Sequence, residues 1–104
     1  MATGRLGTPA LLSATTNTTI YTNATSYAVV SVTMCNQSSS AVQVRLALAS
    51  SASPTTAEYI EYGATIPPNG VLERTGLVMQ NGMNLVAYAG TGSAVSVVAY
   101  GIET

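Results

Sequence analysis

Histidine, aspartate, lysine, tryptophan and phenylalanine are all missing from this 104-residue chain, and each absence removes a class of chemistry. Without His or Lys there is no side-chain base that titrates near neutral pH, none of the commonest metal ligand and no Schiff-base amine. Without His and Asp, neither a Ser-His-Asp nor a Cys-His arrangement can be assembled. Acid and base work is left to Glu58, Glu61, Glu73 and Glu103. Glu58 and Glu61 stand three apart in a predicted strand, so they point to opposite faces and cannot share a cleft from there. The expectation is a chain that is not an enzyme and carries no metal or other cofactor.

Charge is equally scarce. Charged residues make up 7% of the chain, against about a quarter in ordinary soluble domains. The only cations are Arg5, Arg45 and Arg74, and the formal net charge is -1. Three arginines cannot neutralise a run of phosphates, so no nucleic acid is expected as a partner. Cys35 is the single cysteine, which rules out an intrachain disulfide. With no base to activate it, it reads as a packed or half-exposed thiol. The opening residues lack a charged segment followed by an apolar one, and no run approaches eighteen apolar residues. Neither a secretory signal nor a membrane span is therefore expected, and the chain is read as folding in a cytoplasm. The Asn-x-Ser/Thr triplets at Asn17, Asn23 and Asn36 are then chance matches.

Apolar residues nevertheless reach 47%, and the core must be built from Val, Leu, Ile, Ala, Met and Tyr. Little long-range repulsion opposes contact between such molecules, a composition suited to life inside an assembly. Helix signals are weak, whereas Val, Ile and Thr abound. In 27–35, Ala28, Val30, Val32 and Met34 share one parity, and in 41–49 Val42, Val44, Leu46 and Leu48 do the same opposite Gln43 and Arg45. Further strands are predicted over 58–66, 71–79, 85–89 and 95–102, with a weaker one at 18–22. The punctuation agrees: polar loops at 36–40 and 50–56, a turn at Pro67-Pro68-Asn69-Gly70, and tight connections at Asn81-Gly82 and Gly90-Thr91-Gly92. The fold class expected is all-β: an antiparallel β-sandwich or jelly-roll-like barrel of about seven strands, with residues 17–104 as one domain.

Residues 1–16 lack clean alternation and are expected to form an extended N-terminal arm, with Leu6, Leu11 and Leu12 as apolar anchors on a partner. Glu73 and Arg74 are adjacent, so they face opposite sides of their strand and do not pair with each other. Arg74 is expected on Glu58, Glu61 or a neighbouring subunit, and Glu73 on Arg45 or Arg5. Arg45, Glu73 and Arg74 join the three leucines as candidate interface residues. Two competing roles are a carbohydrate- or receptor-binding module, against which the lack of Trp, Asp and His weighs, and a small hydrolase, for which only Glu remains.

Three stretches carry a resemblance: Glu58-Tyr59-Ile60-Glu61-Tyr62, then Ile66-Pro67-Pro68-Asn69-Gly70-Val71-Leu72-Glu73-Arg74-Thr75-Gly76, and Val95-Ser96-Val97-Val98-Ala99-Tyr100-Gly101-Ile102-Glu103. With the opening Met1-Ala2-Thr3-Gly4-Arg5-Leu6-Gly7, they resemble small virion structural proteins of tailed bacteriophages, including cyanophages. The resemblance implies a small β-rich particle subunit with no catalytic residues. The station it suggests first is capsid decoration, or cement, binding the major capsid protein and its own copies as a homotrimer or other symmetric oligomer. A tail, neck or fibre appendage is the alternative. The location implied is the virion, after synthesis in the host cytoplasm.

Overall fold

The structure is a computed structural model and describes residues 2–104. Among these, eight strands follow one another: β1 Thr3–Leu11, β2 Thr18–Thr22, β3 Tyr27–Asn36, β4 Val42–Ala49, β5 Tyr59–Ile66, β6 Val71–Gln80, β7 Asn84–Ala89 and β8 Val95–Glu103. The one helical element is a single 3-10 turn, Thr56–Glu58. Glu58 thus lies outside the strand expected for it, and its carboxylate accepts the backbone N–H groups of Thr55 and Ser50 at 2.9 and 3.0 Å. Those two donors favour the ionised form and hold its pKa below the usual carboxylate range.

The strands form two four-stranded sheets, ordered β1-β8-β3-β6 and β2-β7-β4-β5. All pairings between these strands are antiparallel, and those of β1 with β8, β2 with β7, β3 with β6 and β4 with β5 are nested. A long hairpin folded over on itself produces that nesting, and the pairs β3·β8 and β4·β7 close it into a jelly roll. The sandwich expected from the sequence is therefore present, with one more strand than foreseen.

Between the sheets, period-two alternation decides what is buried. Ala28, Val30, Val32 and Met34 of β3 face Val42, Val44 and Leu46 of β4 across the core, each 2% exposed or less. With no bulkier aromatic than Tyr available, the layers stay thin. The smallest molecular dimension is 19 Å, room for two sheets about 10 Å apart with one outer layer of side chains each.

The two open sides of the sandwich are closed differently. On the β1/β2 side, β1 bulges between Leu6 and Ala10, two residues longer than β8 opposite. There Gly7, at φ +68°, comes so near Ile20 that an added Cβ would sit 2.9 Å from the Tyr21 Cβ and closer still to the Ile20 carbonyl oxygen. On the β5/β6 side, Glu61 and Arg74 reach inward from facing sheets and form an ion pair, one of the pairings left open by the sequence.

Residues 3–11 are therefore the edge strand of a sheet, which corrects the expectation of an extended arm over 1–16. The reason is physical: Leu6 and Leu12 are 2% and 0% exposed in the chain's own core, and only Leu11, 53% exposed, remains free. The far end is tied down as well. Glu103 accepts the Ala2 N–H at 3.0 Å and a hydrogen bond from the buried Tyr21 hydroxyl.

Burial, and then the Glu103 carboxylate, push the Tyr21 pKa well above that of an exposed phenol. The folded state keeps this proton while an unfolded Tyr releases it above about pH 10, so stability must fall as pH rises past that point. Urea melts at pH 8 and pH 11 check this: wild type is expected to lose more stability between the two than Tyr21→Phe does.

Candidate interaction surface

Two outer sheet faces remain after the core is filled, and they differ in character. The outer face of β2-β7-β4-β5 is polar where Arg45 stands. The register places Arg45 beside Tyr62 of β5 and Tyr88 of β7, and its guanidinium lies 4.2 and 4.3 Å from the two ring centroids. Tyr59 meets Tyr62 edge-on at 5.0 Å. Stacking between two rings fixes the long arginine side chain by cation–π attraction, each contact contributing about 0.5–1 kcal/mol at an exposed site. A shallow cleft of about 190 Å³ runs alongside, lined by Gln43, Gly63 and Gly90 as well. Arg45 is thus held within its own sheet and does not reach Glu73, as one of the expected pairings required.

The outer face of β1-β8-β3-β6 is the unusual one. Parity directs Leu11, Val71, Val78, Val98, Tyr100 and Ile102 away from the core, and they are between 36% and 65% exposed. Half-buried Val29 and Cys35 lie on the same face, next to Ile102 and Ser96 respectively. The pattern is unbroken from Ile102 through Val29 to Val78 in one cross-strand row, while Ser31, Thr33 and Ser96 stand between the apolar residues in the other rows. The charges on this face stand at its two edges: exposed Arg5 on β1, opposite Tyr100, and exposed Glu73 on β6, opposite Thr33.

The six candidate residues therefore divide. Leu6 and Leu12 are core residues, and Arg74 is committed to Glu61. Leu11 and Glu73 lie on the exposed apolar face, and Arg45 sits clamped on the opposite one. The valines, Tyr100 and Ile102 of that face were legible only as the second parity of strands already assigned. An outward apolar residue is ordinary singly and informative only when its neighbours across the sheet match.

Among the described residues no group of three His, Cys, Asp or Glu could hold a metal ion, and no helix is long and apolar enough to cross a membrane. No protein-family model, curated protein or solved structure matches the chain.

Proposed function

We propose that the chain is a non-enzymatic structural protein of a tailed-bacteriophage virion, in first place a capsid decoration or cement protein that binds the major capsid protein and copies of itself. Two things support this reading: the resemblance of residues 58–62, 66–76 and 95–103 to small virion proteins, and the character of the β1-β8-β3-β6 outer face. The face is the observation that carries it. Isolated soluble proteins rarely present a contiguous apolar patch beyond a few hundred Å², because such a surface gains by leaving water. Here six large apolar side chains share one sheet face and the only charges are at its rim. A lattice of subunits adds many contacts of this kind, each modest alone.

Jelly rolls also serve as lectin domains and cupins, so the fold by itself does not choose among functions. The test is incorporation. Purified particles are expected to hold hundreds of copies per virion for a shell protein, whereas roughly six to a few tens would place the chain in tail or neck, in keeping with closed rings. Val98→Asp alters only the exposed face and is expected to lower incorporation at least tenfold while the circular dichroism spectrum stays that of the wild type. Particles carrying the variant at wild-type copy number would refute the assignment of this face.

A further inference from the structure

We infer that the outer face of β1-β8-β3-β6 is covered by the same face of a second copy, related by a two-fold axis that lies in the interface and runs parallel to the strands. The inference rests on the structural role proposed above and names the partner of that surface. Its starting point is the distribution of charge. Of the four carboxylates, Glu58 is held by the Thr55 and Ser50 N–H groups, Glu61 by Arg74, and Glu103 by Tyr21 and the Ala2 N–H. Glu73 alone has no partner among the described residues, and of the arginines only Arg5 has neither an ion pair nor a ring stacked on it.

Both lie on the same outer face, at opposite edges of a four-stranded sheet. Three strand spacings of about 4.8 Å keep them some 14 Å apart within one molecule, too far to pair. Turning a second copy over about an axis parallel to the strands lays β1 on the partner's β6 and β8 on the partner's β3. Arg5 and Glu73 are then offset by one cross-strand row, about 7 Å along the strand, a gap that an extended arginine side chain spans. The arrangement is reciprocal, so two such pairs form at once. An axis perpendicular to the strands lays β1 on β1 and β6 on β6, and brings no opposite charges together.

The apolar rows match under the same operation. Leu11 and Val71 occupy the two ends of the row through Ser96 and Cys35, so each faces the other across the axis. Ile102 and Val29, neighbours in another row, exchange places in the same way. Strands of nine to ten residues at about 3.3 Å each, in a sheet about 19 Å wide, give a face of roughly 600 Å² per copy. Two such faces bury on the order of 1,200 Å², at the lower end of stable specific interfaces.

Sedimentation of the purified full chain tests the inference through charge exchange. Wild type is expected to be a dimer at tens of micromolar. Arg5→Glu and Glu73→Arg are each expected to weaken the dimer at least tenfold, because each sets two like-charge pairs against one another. The double variant Arg5→Glu/Glu73→Arg is expected to regain wild-type affinity within a few-fold. A second readout is cross-linking of Leu11→Cys/Val71→Cys in a Cys35→Ser background by a short bis-maleimide, about 8 Å between its reactive ends, which suits thiols on sheets packed about 10 Å apart and is expected to give covalent dimers.

A monomeric wild type, single variants that dimerise normally, or a double variant that stays apart would overturn the inference. Rescue of Glu73→Arg by Arg45→Glu instead of Arg5→Glu would mean head-to-tail stacking, and would overturn it too. Copies that enter particles without dimerising leave the virion role standing and defeat only this inference. A charge-dependent dimer absent from particles does the reverse.

Discussion

Gly101→Ala is expected to lower the stability of the fold by about 3–5 kcal/mol, in the range where single substitutions act through backbone strain and overpacking. Gly101 lies in β8, which runs between β1 and β3, opposite Gly4 on one side and Val30 on the other. Its φ is +152°, a conformation that side-chain-bearing residues avoid. An added Cβ would also be driven into the Val29 carbonyl oxygen and lie 3.0 Å from its carbon and 3.1 Å from the Val30 Cα. Those are backbone atoms of the neighbouring strand, and no side-chain rotation can relieve the overlap. Either the β3·β8 ladder opens locally or both strands shift, and the core valines on their inner faces shift with them.

The comparison that isolates the steric part is Gly82→Ala. Gly82 has φ +86° and open space where its Cβ would go, so it carries the left-handed penalty alone, about 1–2 kcal/mol. For a domain of this size 1 kcal/mol corresponds to roughly 4–8 °C in Tm. Calorimetry is therefore expected to show Gly101→Ala melting roughly 12–40 °C below wild type, and Gly82→Ala clearly nearer to it. Equal shifts for the two variants would show that the close approach of β3 costs nothing.

The strands that could be read in advance are those whose two parities differ in polarity. In β3 and β4 an inner row of Ala, Val, Leu and Met alternates with Thr, Ser, Gln or Arg, and a period of two is then unmistakable. Turns came through for a related reason: Pro67-Pro68-Asn69-Gly70 and Asn81-Gly82 contain residues whose backbone preferences suit little else. β1 was missed because its bulge interrupts the period. Leu6 and Leu12 are both buried, yet the extra residues around Gly7 and Pro9 lie between them and destroy the alternation that would have marked a strand. Two leucines then looked like anchors for a partner when they anchor the chain to itself.

The site was less legible than the fold because it is a property of the register. Arg45, Tyr62 and Tyr88 are far apart along the chain, and only the pairing of β4 with β5 and β7 stacks them. The same holds for the exposed face, where Ile102, Val29 and Val78 come from three strands. Their outward parity could be inferred strand by strand. That they form one row could not, since a shift of a single residue in either pairing would turn one strand's contribution inward.

The second large effect is expected at Asn36, where the shortage of charge shapes the fold itself. The described residues contain one ion pair, Glu61 with Arg74, and it joins two strands, so no ion pair among them holds a loop. Amides take over the task. Asn36 ends β3 fully buried, and its side-chain nitrogen donates to the carbonyl oxygens of Ser40, Ile66 and Pro67 at 2.8, 3.0 and 3.1 Å. Its side-chain oxygen accepts from the Ser38 N–H at 3.0 Å and the Ser38 hydroxyl at 2.7 Å.

One residue thereby joins the β3–β4 loop to the turn between β5 and β6, at one end of the sandwich. Asn23 has the same role between β2 and β3, donating to the Met79 carbonyl at 2.8 Å and accepting from Thr25. Asn36→Ala removes the donor from buried carbonyls that water cannot easily reach, and is expected to cost about 3–4 kcal/mol. In urea, at a slope of roughly 1–3 kcal/mol per molar, the midpoint falls by 1 M or more.

Asn36→Asp separates hydrogen bonding from shape. The carboxylate nearly matches the amide in size but has no N–H, so at neutral pH it turns an anion toward the carbonyl oxygens that the amide had satisfied. Protonation restores one donor. The Asp pKa in the folded state is therefore raised above its unfolded value of about 3.9. Stability is then greatest below that value and is lost as pH rises through the folded pKa. The expected result is a variant less stable than Asn36→Ala at pH 7 that overtakes it near pH 4. If Asp proved as stable as Asn at pH 7, the donated hydrogen bonds would not be what holds the two loops together.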